Sequence, residues 1–206
     1  MDGASPLQCL SVGLLTGSRP GRAVFTGSRP GRAGVLARGL VAGAAGAVAM
    51  DSVQFARYRR GGGRRLVRDW EFTVDVDDWS QAPATAQIGR RILERVARGP
   101  WPVERAGVTN NVVHWGYCMA WGAVFGLAQS SRRGRPPPTW HGLPLGATVW
   151  LSSYVIMPLA GLYRPIWEYD VPVLAKDLGD HLAYGTGVSV AYRLLAGGLG
   201  RRRTSG

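Results

Sequence analysis

The chain has 206 residues, with 25 Lys and Arg against 13 Asp and Glu, a formal net charge of +12 and a mean hydropathy of -0.04. Its length fits a single domain, and two cysteines, Cys9 and Cys118, argue against both a disulfide framework and a metal knuckle. The positive balance raises nucleic-acid binding, but the arginines flank apolar stretches and no nucleic-acid-binding motif is present, so anionic lipid headgroups are the expected partner and nucleic acid is not.

The near-zero mean hides a segregation. No Asp, Glu, Lys or Arg stands between Arg105 and Arg132, nor between Arg135 and Arg164. A water-exposed amphipathic helix needs polar groups on every turn, so such gaps point to lipid-crossing segments. The fold expected is all-α: an integral membrane bundle of about four transmembrane helices with one amphipathic interfacial helix.

Residues 1–34 contain the repeat Thr16-Gly-Ser-Arg-Pro-Gly-Arg-Ala23, which recurs as Thr26-Gly-Ser-Arg-Pro-Gly-Arg-Ala33. Gly, Pro, Ser and Arg build no core, so a disordered basic tail is expected there, without a signal peptide. The membrane domain is expected over 35–199. Its first span, 35–55, is rich in Ala and Gly, with Gly39, Gly43 and Ala47 at four-residue spacing as a helix-packing face. A long loop follows. It begins with six arginines between Arg57 and Arg68 and turns acidic and aromatic from Asp69 to Trp79. Asp75, Asp77 and Asp78 are read there as a solvated acidic turn, ahead of a hard-cation site.

Residues 83–98 place Ile88, Ile92, Leu93 and Val96 on one helical face among arginines, the pattern of a helix lying on a membrane surface. The second span, 111–129, carries a Gly122/Gly126 pair as a further packing face. Arg132, Arg133 and Arg135 with three prolines form a basic turn. The third span, 143–163, is uncharged throughout, with Pro158 expected to kink it. The fourth, 178–199, carries Asp180 and His181 near its start and Arg193 near its end, where the long side chain is expected to snorkel. Residues 200–206 form a basic C-terminal tail. Trp79 and Trp167 are expected in interfacial belts.

Four crossings put both termini on one side. The opposite face then collects Asp51, Asn110, Asn111, His114, Glu168, Asp177, Asp180 and His181 as a polar vestibule, with Asp51 paired to His114 or His181, and Asp177 within reach of His181. Two histidines among carboxylates suit proton relay or a divalent metal, although no spacing specific to a metal site is present. Interhelical hydrogen bonding is the plainer role for the same residues. Arginine counts on the two sides balance, so orientation stays open.

The stretches Met50-Asp51, Arg57-Tyr-Arg-Arg-Gly-Gly-Gly63, Asp69-Trp-Glu-Phe72, Asn110-Asn-Val-Val-His-Trp-Gly116 and Pro165-Ile-Trp-Glu-Tyr-Asp170 resemble a group of small bacterial membrane proteins of unknown function. The resemblance covers about residues 36–196. It implies a multi-pass protein of the bacterial inner membrane and transfers no activity or cofactor. Three functional classes follow: a small transporter or channel component, a structural or regulatory protein acting through membrane partners or as a homo-oligomer, and, with least support, a membrane-embedded enzyme.

Overall fold

A computed structural model describes residues 31–130 and 137–202. The Arg-Pro-Gly repeats, Cys9, the basic turn at Arg132, Arg133 and Arg135, and the last four residues lie outside the described residues. Among the described residues there is no strand. Six α-helices follow in order: α1 (Arg32–Arg60), α2 (Val67–Phe72), α3 (Ala84–Ala97), α4 (Ala106–Gln129), α5 (Gly142–Leu159) and α6 (Val171–Arg202).

The boundaries have local causes. α1 starts at Arg32, inside the stretch expected to be tail, and runs through the Ala-rich segment that favours helix. Its last turn holds Arg57, Arg59 and Arg60, which complement the helix dipole, and it stops at Gly61 and Gly62, the latter with φ 89°. α3 opens after Pro83 and closes on Arg98 in the left-handed region, φ 53°, ahead of Gly99 and Pro100. α5 ends at Leu159, four residues before the expected end of the third span. Pro158 is the penultimate residue of α5, where it terminates the helix instead of kinking its middle, and Gly161 at φ 68° turns the chain away. Pro172 occupies the first turn of α6, the one place a helix accepts it freely. The α2 turn interrupts what the sequence presents as loop.

α1 sits centrally, antiparallel to both α4 and α6, and α5 packs on the far side of α6. The seams are made by small residues. A methyl group added at Gly39 would lie 2.6 Å from the Gly122 carbonyl oxygen, and one at Gly122 would lie 2.5 Å from the Gly43 backbone nitrogen. Gly126 closes the same seam against Val35, and Ala47 is fully buried in the core beside it. A second seam joins α5 to α6, where Gly142 and Gly146 meet Gly185 backbone to backbone. Tyr184 and Tyr192 fill the space between seams, and their hydroxyls donate to the Cys118 and Gly126 carbonyls, at 2.6 and 3.4 Å.

Burial does not follow hydrophobicity. The interior of the bundle is largely Gly, Ala and Tyr, while Leu, Val and Ile side chains face outward on all four long helices: Val41, Val112, Leu151 and Leu194 are each more than half exposed. Exposed hydroxyls bond to their own helices. Ser52 donates to the Val48 carbonyl, Thr148 to Pro144 and Thr186 to Leu182, at 2.6, 2.7 and 2.8 Å.

Two helical segments are long and apolar enough to cross a membrane by length and composition, Arg32–Arg60 with mean hydropathy 1.6 and Thr139–Leu159 with 1.3. The second and fourth expected spans, α4 and α6, do not meet the same measure. α4 is uncharged, but Asn110, Asn111, His114, Gln129 and its tryptophans lower its mean. α6 carries Lys176, Asp177, Asp180 and Arg193. Arg193 is exposed and donates to the Pro137 carbonyl at 3.3 Å, in the connection that leads into α5.

α3 docks against the start of α4 through a small separate core of Trp79, Ala82, Ala86 and Ala106. Gly89 lets it approach Thr109 and Val113. Trp79 is buried and its indole N–H donates to the Trp101 carbonyl at 3.0 Å, so it is a packing residue and not a belt residue. Trp167 is 81% exposed. Ile92 and Val96 on α3 are also exposed, beside Arg95 and Arg98.

Candidate functional site

One end of the bundle holds the C-terminal half of α1, the starts of α4 and α6, and the end of α5, because the seams run these helices antiparallel. The polar residues named from the sequence meet there, but in two groups on opposite sides of α1.

On the α4 side, Asp51 faces His114, with Oδ1 3.3 Å from Nε2. The angle does not make a hydrogen bond: Asp51 Oδ2 and His114 Nε2 are buried atoms without a hydrogen-bond partner. Below them α2 brings in Glu71, whose Oε1 accepts from the Trp115 indole at 3.2 Å and whose carbonyl accepts from Asn111 Nδ2 at 2.6 Å. Burial raises the Glu71 carboxyl above the usual glutamate range; the Trp115 hydrogen bond opposes this, and the neighbouring Asp51 charge adds to it. Asn110 stands apart, accepting from the Thr85 hydroxyl of α3.

On the α6 side, Arg57 grips Asp180 through two hydrogen bonds, Nη2 to Oδ1 at 2.6 Å and Nη1 to Oδ2 at 3.0 Å. Asp180 is 4% exposed, while the Arg57 side chain keeps 37%. Asp177 accepts from the Tyr154 hydroxyl at 3.0 Å. His181 Nδ1 donates to the Asp177 carbonyl at 2.8 Å and lies 3.6 Å from its carboxylate, so its ring is turned along its own helix.

These α6-side residues border an open cleft of about 650 Å³. Of the eight expected vestibule residues, Asp177 and Asp180 line it. Gln54, Arg57 and Lys176 join them from α1 and α6. Asp51, Asn111 and His114 belong to the Glu71 group instead, and Glu168 is exposed beyond both. A single vestibule holding all eight is therefore replaced by two polar groups.

Aromatic rings wall the cleft. Tyr154, Tyr163 and Tyr169 form one triangle, with centroids 5.4 to 6.3 Å apart. Across from it, Tyr58 and Trp70 stack with Phe55 at 5.4 to 6.2 Å. A smaller recess of about 300 Å³ lies between α4 and α5 at the opposite end, and there His141 meets Gln129 at 3.3 Å.

Among the described residues no group of three His, Cys, Asp or Glu is placed to hold a metal ion. Asp75 pairs with Arg65, and Asp78 caps the turn at Ser80, so two of the three acids of that turn have local roles.

Sequence reasoning misses Glu71, Arg57 and the tyrosine triangle. Glu71 sits in a segment without helical periodicity. Arg57 reads as one more flanking arginine. Comparison with protein-family models, with curated proteins and with solved structures finds no match.

Proposed function

We propose that α1, α4, α5 and α6 each cross the bacterial inner membrane, and that the Arg57–Asp180 cleft is the polar vestibule of a small transporter or channel component. The observation that carries this reading is an ion pair, its carboxylate buried and its guanidinium partly exposed, bordering an open cleft between helices. Ionisable groups in a helical membrane bundle are costly and persist where they serve a pathway or a ligand.

The crossing of all four helices is supported by the outward Leu, Val and Ile side chains and by hydroxyls bonded within their own helices, both of which suit a surface facing lipid. The 18 residues of α5 extend ~27 Å, close to the hydrocarbon thickness. Glycine seams supply the close backbone approach that holds helices together where water does not drive association. The exposed Ile92 and Val96 of α3, with Arg95 and Arg98, suit an interfacial helix on anionic headgroups.

Alkaline carbonate extraction tests insertion: the protein stays with the membrane pellet, and its release into the supernatant overturns the membrane reading. Reconstitution in liposomes tests the vestibule. Wild type conducts protons or small ions under an imposed gradient above empty vesicles, and Asp180→Asn lowers the flux several-fold.

A second reading, a structural or regulatory protein acting through a membrane partner, is favoured by the seams beyond the cleft. They close backbone on backbone, so the cleft is blind in this conformation. Absence of flux from an inserted, folded protein, together with a stoichiometric partner on purification, selects it.

A further inference from the structure

The charges that line the cleft do not cancel in place. Arg57 and Asp180 satisfy each other through two hydrogen bonds. That leaves Lys176, which makes no ion pair among the described residues, and Asp177, which is held by a neutral tyrosine hydroxyl through Oδ2 and keeps Oδ1 beside His181. One unneutralised cation and one carboxylate thus border the same space, adjacent on α6.

We propose that the cleft binds a zwitterion, a ligand with an ammonium group and a phosphate or carboxylate a few bonds apart. A purely anionic ligand at Lys176 would meet Asp177, and a purely cationic one at Asp177 would meet Lys176. Only a ligand carrying both signs answers each charge without opposing the other. The walls suit the ammonium half, because Tyr154, Tyr163, Tyr58 and Trp70 line the cleft and aromatic rings attract a cation, while the Tyr169 ring already carries the Arg164 guanidinium at 5.1 Å. A volume of about 650 Å³ falls in the range of small-ligand pockets.

Such a head is carried both by an aminophospholipid of the surrounding bilayer and by free phosphoethanolamine in water. This inference rests on reading the cleft as a ligand-binding vestibule and makes no use of transport through it.

The test uses the full chain, purified in a neutral detergent and stripped of lipid. Phosphatidylethanolamine, phosphatidylglycerol, free phosphoethanolamine and glycerol phosphate are titrated in turn, and binding is read by calorimetry and by the rise in thermal midpoint. The ammonium-bearing member of a pair binds ~10-fold or more tightly than its glycerol counterpart, the scale of one charge-assisted contact. Asp177→Asn removes most of that preference, while Lys176→Gln weakens both members of a pair alike. Both are conservative changes. Lys176 is exposed, and the amide oxygen introduced by Asp177→Asn still accepts from the Tyr154 hydroxyl, so the unliganded thermal midpoint stays within a few degrees.

A preference confined to the lipid pair assigns the ligand to the bilayer, and one shared by the soluble pair assigns it to the headgroup alone. Equal binding of the glycerol compounds, a preference unchanged in Asp177→Asn, or an affinity unchanged in Lys176→Gln, overturns the proposal. Loss of flux in liposomes with the preference intact sinks the transport reading and leaves this one. An intact flux with no preference does the reverse.

Discussion

The two ends of the bundle are built from the same helices and differ in what lies between them. At one end, Gly39, Gly43, Gly122 and Gly126 bring α1 and α4 into backbone contact, and Gly142, Gly146 and Gly185 do so for α5 and α6. At the other, the helices meet through long side chains: Arg57 of α1 reaches Asp180 of α6, Asp51 of α1 faces His114 of α4, and Tyr154 of α5 reaches Asp177 of α6. Close approach leaves no room for solvent, and long side chains hold helices apart enough to leave a cleft. The zipped end therefore sets the geometry that the polar end uses.

The largest expected effect follows from adding volume at the zipped end. In Gly122→Leu, Cβ alone would stand 2.5 Å from the Gly43 backbone, and backbone cannot turn aside as a side chain can. Overpacking of this kind exceeds the ~1–3 kcal/mol of an ordinary core insertion. Gly122→Leu is expected to give no monodisperse peak in detergent size-exclusion chromatography. Gly116→Leu, on the same helix with nothing within 4 Å of its Cβ, gives a normal one. Equal behaviour of the two would mean that the seam does not hold the ends apart.

At the polar end the ion pair should respond asymmetrically. Arg57→Ala leaves the buried Asp180 carboxylate without its cation, and stranding a buried charge costs more than losing an exposed pair. Asp180→Ala leaves Arg57, whose side chain keeps 37% of its exposure and can be hydrated, so the loss is nearer ~1 kcal/mol. Thermal midpoints in detergent should rank wild type, Asp180→Ala, then Arg57→Ala. The reverse ranking would place the dominant cost on the guanidinium.

Much of the architecture is legible because it repeats along the chain. Small residues four apart announce a packing face at Gly39 and Gly43 whatever their partner, and uncharged runs delimit α4 and α5. The α5–α6 seam is not legible, because Gly142, Gly146 and Gly185 come from two helices, and neither sequence alone shows that they meet. Chain order gives the depth of the polar residues, and depth groups them at one end. They separate by azimuth, which chain order does not give. Asp51 and Arg57 are six residues apart, and at about 100° per residue that turns them ~120° from each other around α1. One faces α4 and the other α6.

The Glu71 group gives a smaller effect that depends on pH. Burial raises the folded-state carboxyl above the value it has in an unfolded chain, about 4.3. Its contribution is full while both states are protonated, and it is lost as pH rises from the usual glutamate range through the raised folded value. In detergent-solubilised protein, Glu71 should therefore raise the thermal midpoint at pH 4 relative to pH 8. Glu71→Gln should flatten this part of the profile and stabilise the protein on the alkaline side. An unchanged slope in Glu71→Gln would overturn the assignment of this pH dependence to Glu71.

The smallest effects belong to the outer surface, and they decide whether the contrast between the ends is an interior property. Ser52 lies near the polar end and Thr148 near the zipped end, and each hydroxyl is exposed and bonded to the carbonyl four residues before it. That carbonyl already serves the helix ladder, so removing the hydroxyl strands nothing, and it relieves the slight bend such bonds impose. Ser52→Ala and Thr148→Val should each shift stability by less than ~0.5 kcal/mol, the usual range for surface changes. If the Ser52 change were large and the Thr148 change negligible, polar character at that end would extend to the outer face of α1. The cleft would then be one part of a broader hydrated surface. Equal, small shifts confine the difference to what lies between the helices, where Gly against Gly at one end and Arg57 against Asp180 at the other determine how far apart they stand.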